Sequence, residues 1–161
     1  MDWALRVVEA IAFSLHAVIG VTEPCHEIMT GVTQDSLPYP AIFFPVAGLS
    51  LALVVLANFS GQQALVLGAQ AYVIAFHTGA VFTHLRIGHH PAAASAPGLF
   101  VLIAFIIVAL RMSILIALLG TTFFVGVGVL LGRLIVKRPA QPKGCRTAPI
   151  DDGPYSFGPL R

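Results

Sequence analysis

Two histidines seven residues apart, His77 and His84, lie in one apolar run, and Glu9 and His16 repeat that spacing in another. Seven residues are about two helical turns, so on a helix each pair shares one face, roughly 10 Å apart along the axis. Neutral imidazole suits haem and chlorophyll-type pigments, which makes His77 and His16 candidate cofactor ligands. Glu9, with His16 on its face, is a candidate for a proton or quinone site. A structural use competes with each of these. His77 can hydrogen-bond a carbonyl or hydroxyl on a facing helix, and Glu9 can pair with Arg6 near the helix end, where an arginine side chain snorkels outward. His84, beside Arg86, reads as an interfacial residue rather than a ligand.

Other chemistry is thinly represented. His26, His89 and His90 accompany Glu23 and Glu27, but no i,i+4 or short-motif spacing makes them converge, so we expect no metal site. Cys25 and Cys145 are too few for a disulfide framework and are not spaced as zinc ligands. Nucleophile-elbow, phosphate-loop, Cys-x-x-Cys and H-E-x-x-H patterns are missing from the sequence, so an enzymatic reading has no motif beneath it.

The elements that would carry these residues follow from composition. Hydrophobic residues make up 57% of the 161, charged residues only 10%, and mean hydropathy is +0.89. A soluble domain carries about 25% charged residues. The apolar runs are continuous rather than alternating, which favours membrane-crossing helices over a barrel. A formal net charge of +2 with no long basic run gives no reason to expect nucleic acid.

In chain order, a retained first span is expected from about Trp3 to Val21, followed by a polar loop from Thr22 to Pro40. A short second span covers about Ala41 to Ala57, with Asn58 and Phe59 extending it. Ser60 to Gln63 form a tight connection, so spans two and three are antiparallel neighbours. The third span runs from Ala64 to about Leu85, with Gln70, His77 and His84 as its polar positions. Arg86 to Ser95 form the next loop. The apolar stretch from Ala96 to Val136 would be about 60 Å long as one helix, twice the hydrocarbon thickness. It is therefore expected to turn at Arg111-Met112-Ser113 into a fourth span near 93–110 and a fifth near 113–136. The alternative is four spans with an overlong last helix. Gly128 and Gly132 form a small-xxx-small pair through which a neighbouring helix can approach.

We thus expect residues 1–136 to form an all-α integral membrane bundle of five helices, or four in the alternative. Residues 137–161 form a polar Pro/Gly-rich tail, with Lys137 and Arg138 at its start. A tail of this composition orders only when something holds it, and we expect it docked on partner subunits. In the five-span arrangement Arg86, Lys137, Arg138, Lys143, Arg146 and Arg161 share one side against Arg6 and Arg111, which makes the tail side cytoplasm-equivalent.

The run Gly79-Ala80-Val81-Phe82-Thr83-His84-Leu85-Arg86-Ile87-Gly88, followed by a short polar loop and Pro97-Gly98-Leu99-Phe100 opening an apolar helix, resembles the DoxX-like family of small four-helix membrane proteins. Ala47-Gly48-Leu49 in the second span is compatible with it, and the likeness extends over about residues 41 to 111. It implies a four-helix core. Gly20-Val21-Thr22-Glu23 stands where that family commonly has a glycine and a lysine, and the fifth apolar segment is additional. Relatives of this kind are linked to quinone-coupled sulfur oxidation or to assembly of membrane partners, so the resemblance implies no single chemistry.

Together these expectations describe a non-catalytic accessory subunit of a larger membrane complex, of a respiratory or photosynthetic electron-transfer type. Its partners would be other membrane subunits and bound lipids. The alternative is a redox subunit binding haem, chlorophyll or quinone through His77, His16 and Glu9. An energy-transducing membrane is expected, the mitochondrial inner membrane first, with thylakoid or bacterial inner membrane as alternatives.

Overall fold

The computed structural model describes residues 2–22, 42–88 and 90–135. Among these every regular element is an α-helix: α1 Asp2–Thr22, α2 Phe43–Asn58, α3 Gln63–Arg86, α4 Pro91–Arg111 and α5 Ile114–Ile135. Four of them, α1, α3, α4 and α5, are long and apolar enough to cross a membrane, while α2 has 16 residues. The tail expected to dock on partners, with Lys137 and Arg138, lies outside the described residues, as do Cys25, Cys145, Glu23, Glu27, His26 and His89.

Local chemistry sets the helix ends. After Asn58 the chain turns through Gly61 at φ +76°, a left-handed conformation that glycine adopts without steric penalty. The Ser60 hydroxyl accepts from the Gln62 amide at 3.2 Å and closes the turn, so α2 and α3 run antiparallel. Past Arg86, the amides of Ile87 and Gly88 donate to the carbonyls of Thr83 and Leu85, with Gly88 left-handed at φ +78° as a helix C-terminus favours. The loop expected to reach Ser95 is shorter than that, because α4 begins at Pro91. The His90 Nδ1 accepts the Ala92 amide at 3.3 Å, and proline is suited to the first helical position, where its missing N–H would have no partner anyway. The long apolar stretch does break at Met112-Ser113 without Gly or Pro. Ser113 Oγ accepts the Ile116 amide, capping α5 as a serine can.

Helix α1 packs chiefly on α2 and lightly on α4, α3 packs on α2, α4 and α5, and α5 also touches α4. Helices α1 to α4 therefore close a four-membered ring, with α5 added outside it against α3 and α4. Two close approaches depend on glycine. On α1 and α2, a Cβ at Gly20 would lie 2.8 Å from the Phe44 carbonyl oxygen, and one at Gly48 would lie 3.0 Å from that of Ala17. On α3 and α5, which run parallel, a Cβ at Gly128 would overlap the Ala75 carbonyl oxygen, and one at Gly132 would meet the Phe82 ring at 2.9 Å and the Gly79 oxygen at 3.4 Å.

The core lies on the diagonal between α1 and α3. Phe13, Leu51, Val54, Ala69, Val73, Ile74 and Ala104 form one buried cluster, and Val66, Ile103 and Ile107 a second. The polar residues Glu9, Asn58, Gln70 and Thr83 are fully buried.

Candidate functional site

Three helices each contribute one side chain to a buried polar cluster. Glu9 comes from α1, Asn58 from the last turn of α2 and Gln70 from α3, two turns inside that helix's start. Asn58 Nδ2 and Gln70 Nε2 both donate to Glu9 Oε2 at 2.9 Å, and Gln70 Nε2 also donates to Asn58 Oδ1 at 2.9 Å. All three residues are 0% exposed. Buried polar groups are tolerated when they find partners, and here each partner is on another helix, so the cluster ties α1, α2 and α3 together. The match is incomplete: Glu9 Oε1 and Gln70 Oε1 are buried and have no hydrogen-bond partner among the described residues.

A charged group continues the cluster to the end of the bundle. Arg6 donates from a guanidinium nitrogen to the Asn58 carbonyl oxygen and sits 3.2 Å from Asp2 Oδ2, with its guanidinium 5.8 Å from the centroid of the Phe59 ring. Arg111, at the end of α4, donates from Nε to the same Asp2 oxygen at 2.7 Å. Asp2 thus pairs with both arginines of this end, and the polar path runs from Arg111 through Asp2, Arg6 and Asn58 to Glu9 and Gln70.

Further along the diagonal, His77 lies one helical face-repeat beyond Gln70 and is 6% exposed. Its Nδ1 lies 3.0 Å from the Val73 carbonyl oxygen. Its ring stacks on Phe13 with centroids 5.3 Å apart and also meets Phe76 and Phe100, each at 5.2 Å. With Nδ1 engaged, Nε2 is the nitrogen left for a ligand, the arrangement metal-bound histidines favour. Three phenyl rings crowd the imidazole, however, and a haem or chlorophyll macrocycle would have to displace them.

The expected site residues therefore divide between the cluster and a second place, where His16 stands near enough to His77 for their charges to interact. Glu9 is at the centre of the cluster, and its expected partner Arg6 acts on its charge while making its direct contacts elsewhere. Arg6 turns to Asp2, one turn before it on α1, and to the Asn58 carbonyl, while the Glu9 carboxylate faces inward to the two amides. His77 bonds a carbonyl of its own helix rather than of a facing one, because Val73 is one turn before it and the ring's other sides are occupied by phenyl groups. His16 is half-buried on α1, beyond Phe13, and His84 is half-buried in the last turn of α3. No group of three or more His, Cys, Asp or Glu able to hold a metal occurs among the described residues. Gly128 and Gly132 lie in the α3/α5 seam, away from the cluster.

Neither Asn58 nor Gln70 lies in a motif that marks it for chemistry. A signal was available: each is an uncharged amide in an otherwise apolar span, and such a residue needs an interhelical partner. No family model, curated protein or solved structure matches this chain.

Proposed function

We propose that this chain is a non-catalytic accessory subunit of a larger membrane complex, one of the electron-transfer assemblies of an energy-transducing membrane. The observation that supports this most is the use of its polar residues. Glu9, Asn58 and Gln70 bond one another across three helices, Asp2 holds Arg6 and Arg111, and His77 bonds its own helix. The Glu9, Asn58, Gln70 and Arg111–Asp2 contacts hold helices together, and the His77 bond stays within α3. Meanwhile α1 and α5 expose long apolar rows, including Val8, Ile11, Leu15 and Val18 on the first and Leu115, Leu119, Phe123 and Leu130 on the second. Faces of that kind suit lipid and neighbouring transmembrane helices alike. The resemblance to DoxX-like proteins adds assembly of membrane partners as the matching role. In a mild-detergent extract of native membranes the chain is expected to migrate with other subunits, well above its own 17.0 kDa plus micelle. Migration as the lone chain would remove this reading.

A second reading has its own observation. Glu9 Oε1 and Gln70 Oε1 are two buried acceptors of the cluster without donors among the described residues, which a hydroxyl-bearing ligand such as a quinol would satisfy. That ligand class belongs to the redox alternative, and it separates from the structural reading at Glu9.

A further inference from the structure

The two ends of the bundle differ in how their arginines are treated. At the end where α1 starts, Arg6 and Arg111 share Asp2. At the opposite end, Arg86 closes α3 and Arg133 stands in the last turn of α5. The acidic residues among those described are Asp2 and Glu9, both in the other half of the molecule, so neither reaches this pair. Instead both guanidinium groups gather over one ring, their central carbons 5.8 and 5.9 Å from the centroid of Phe82. Phe82, Leu85, Arg86 and Arg133 line an open recess of about 730 Å³.

We propose that this recess binds the phosphodiester of an anionic phospholipid. Two guanidinium forks present several N–H donors in a geometry that suits phosphate oxygens. Phe82 and Leu85 form an apolar floor that suits the glycerol and upper acyl chain of a lipid and has nothing to offer a free phosphate. The depth agrees: α3 and α5 are long enough to cross a membrane, and both arginines stand at their ends, where headgroups lie. Basic residues at that level attract anionic lipids. A contribution from the helix dipole, which favours cations in last turns, places arginines there too, but it does not require two of them over one ring. The inference rests on the bundle crossing a bilayer and not on membership of a complex.

The test is native mass spectrometry of the full chain, purified in a neutral detergent and titrated with phosphatidylglycerol or phosphatidylcholine. One phosphatidylglycerol is expected to be retained in preference to phosphatidylcholine. Since a hydrogen bond to a charged group is worth about tenfold in binding, Arg86→Gln with Arg133→Gln should weaken retention about a hundredfold. Both side chains are exposed, so loss of their ring and helix-end contributions should lower the unfolding midpoint by no more than a few degrees, with the fold kept. Arg86→Lys with Arg133→Lys keeps both charges as the control and should change retention less than about tenfold, since an ammonium still binds phosphate as a point charge. Equal retention of the two lipids would overturn the proposal, as would equal loss from the control pair. Displacement by millimolar inorganic phosphate would also overturn it, identifying a free-phosphate site instead.

Discussion

Gly128→Ala is expected to lower the stability of the bundle by about 1–3 kcal/mol, and Gly128→Leu to detach α5 from α3. The cause is the identity of the neighbour. A Cβ at Gly128 meets the backbone oxygen of Ala75 and, at 2.9 Å, the Cβ of Thr78, atoms that move only if a helix moves. At Gly132 the nearest atom is an edge carbon of the Phe82 ring, which can rotate, so Gly132→Ala should cost less. Gly126 supplies the control. It lies on the same helix with nothing within 4 Å of a Cβ, and replacing it by alanine gains about 1 kcal/mol of helix propensity. Thermal unfolding in detergent should therefore rank Gly126→Ala above the parent, Gly132→Ala below it and Gly128→Ala lowest. Equal values for Gly126→Ala and Gly128→Ala would show that the α3/α5 seam is not as described.

The second large effect concerns the diagonal cluster. Glu9→Leu keeps most of the side-chain volume but removes the acceptor shared by Asn58 Nδ2 and Gln70 Nε2. A buried donor left without an acceptor costs about 1–3 kcal/mol, although interhelical hydrogen bonds in membranes average nearer ~0.6 kcal/mol with a maximum of ~1.7. A loss of about 1–2 kcal/mol is the expected result. The sharper expectation is non-additivity. The triple variant Glu9→Leu, Asn58→Leu, Gln70→Leu leaves none of those side-chain groups unpaired, so it should be more stable than Glu9→Leu alone, as when buried ionic groups are replaced together by apolar ones. A mutant cycle over the three positions measures this. Three independent, additive losses would contradict a single interlocked cluster.

Much of the helical layout was legible because a long apolar run has few alternatives. The first span was expected from about Trp3 to Val21 and is Asp2–Thr22, and the third from Ala64 to Leu85 is Gln63–Arg86. The break after Arg111 followed from length alone, since a helix of that extent exceeds a bilayer, and Ser113 supplies the cap. The start of α4, expected near residue 93, falls at Pro91, and the loop is shorter than expected because the polar and small residues from Pro91 to Ser95 read as loop. Their helicity depends on the His90 cap and on Pro91 at the first position, both of which outweigh composition. The partners of Glu9 were not legible in the same way. Arg6 was the nearest opposite charge along the chain, but Asp2 is four residues before Arg6 on the same helix and Arg111 is 109 residues beyond Asp2. Which of these meet is decided by how α1 and α4 pack, and periodicity within one helix carries no information about that. Gly128 and Gly132 were readable as a pair for the same reason that their partners were not: the spacing lies on one helix, whereas Ala75 and Gly79 belong to another.

The fifth helix stands apart from the ring. Helices α1 to α4 close a ring by themselves, and α5 adds to it through a glycine seam.

Glu9 separates the structural account from the redox one. In Glu9→Gln the side-chain oxygen still accepts from Asn58 and Gln70, so the helices stay tied, while the carboxyl group's capacity to ionise and to carry a proton is gone. The deciding measurement is quinol-linked electron transfer in native membranes whose only copy of the chain carries Glu9→Gln, normalised to the amount assembled. If the cluster serves to hold helices together, assembly and rate per assembled complex both match the parent. A fully assembled complex whose electron transfer has fallen tenfold or more would contradict that account and assign Glu9 to the chemistry.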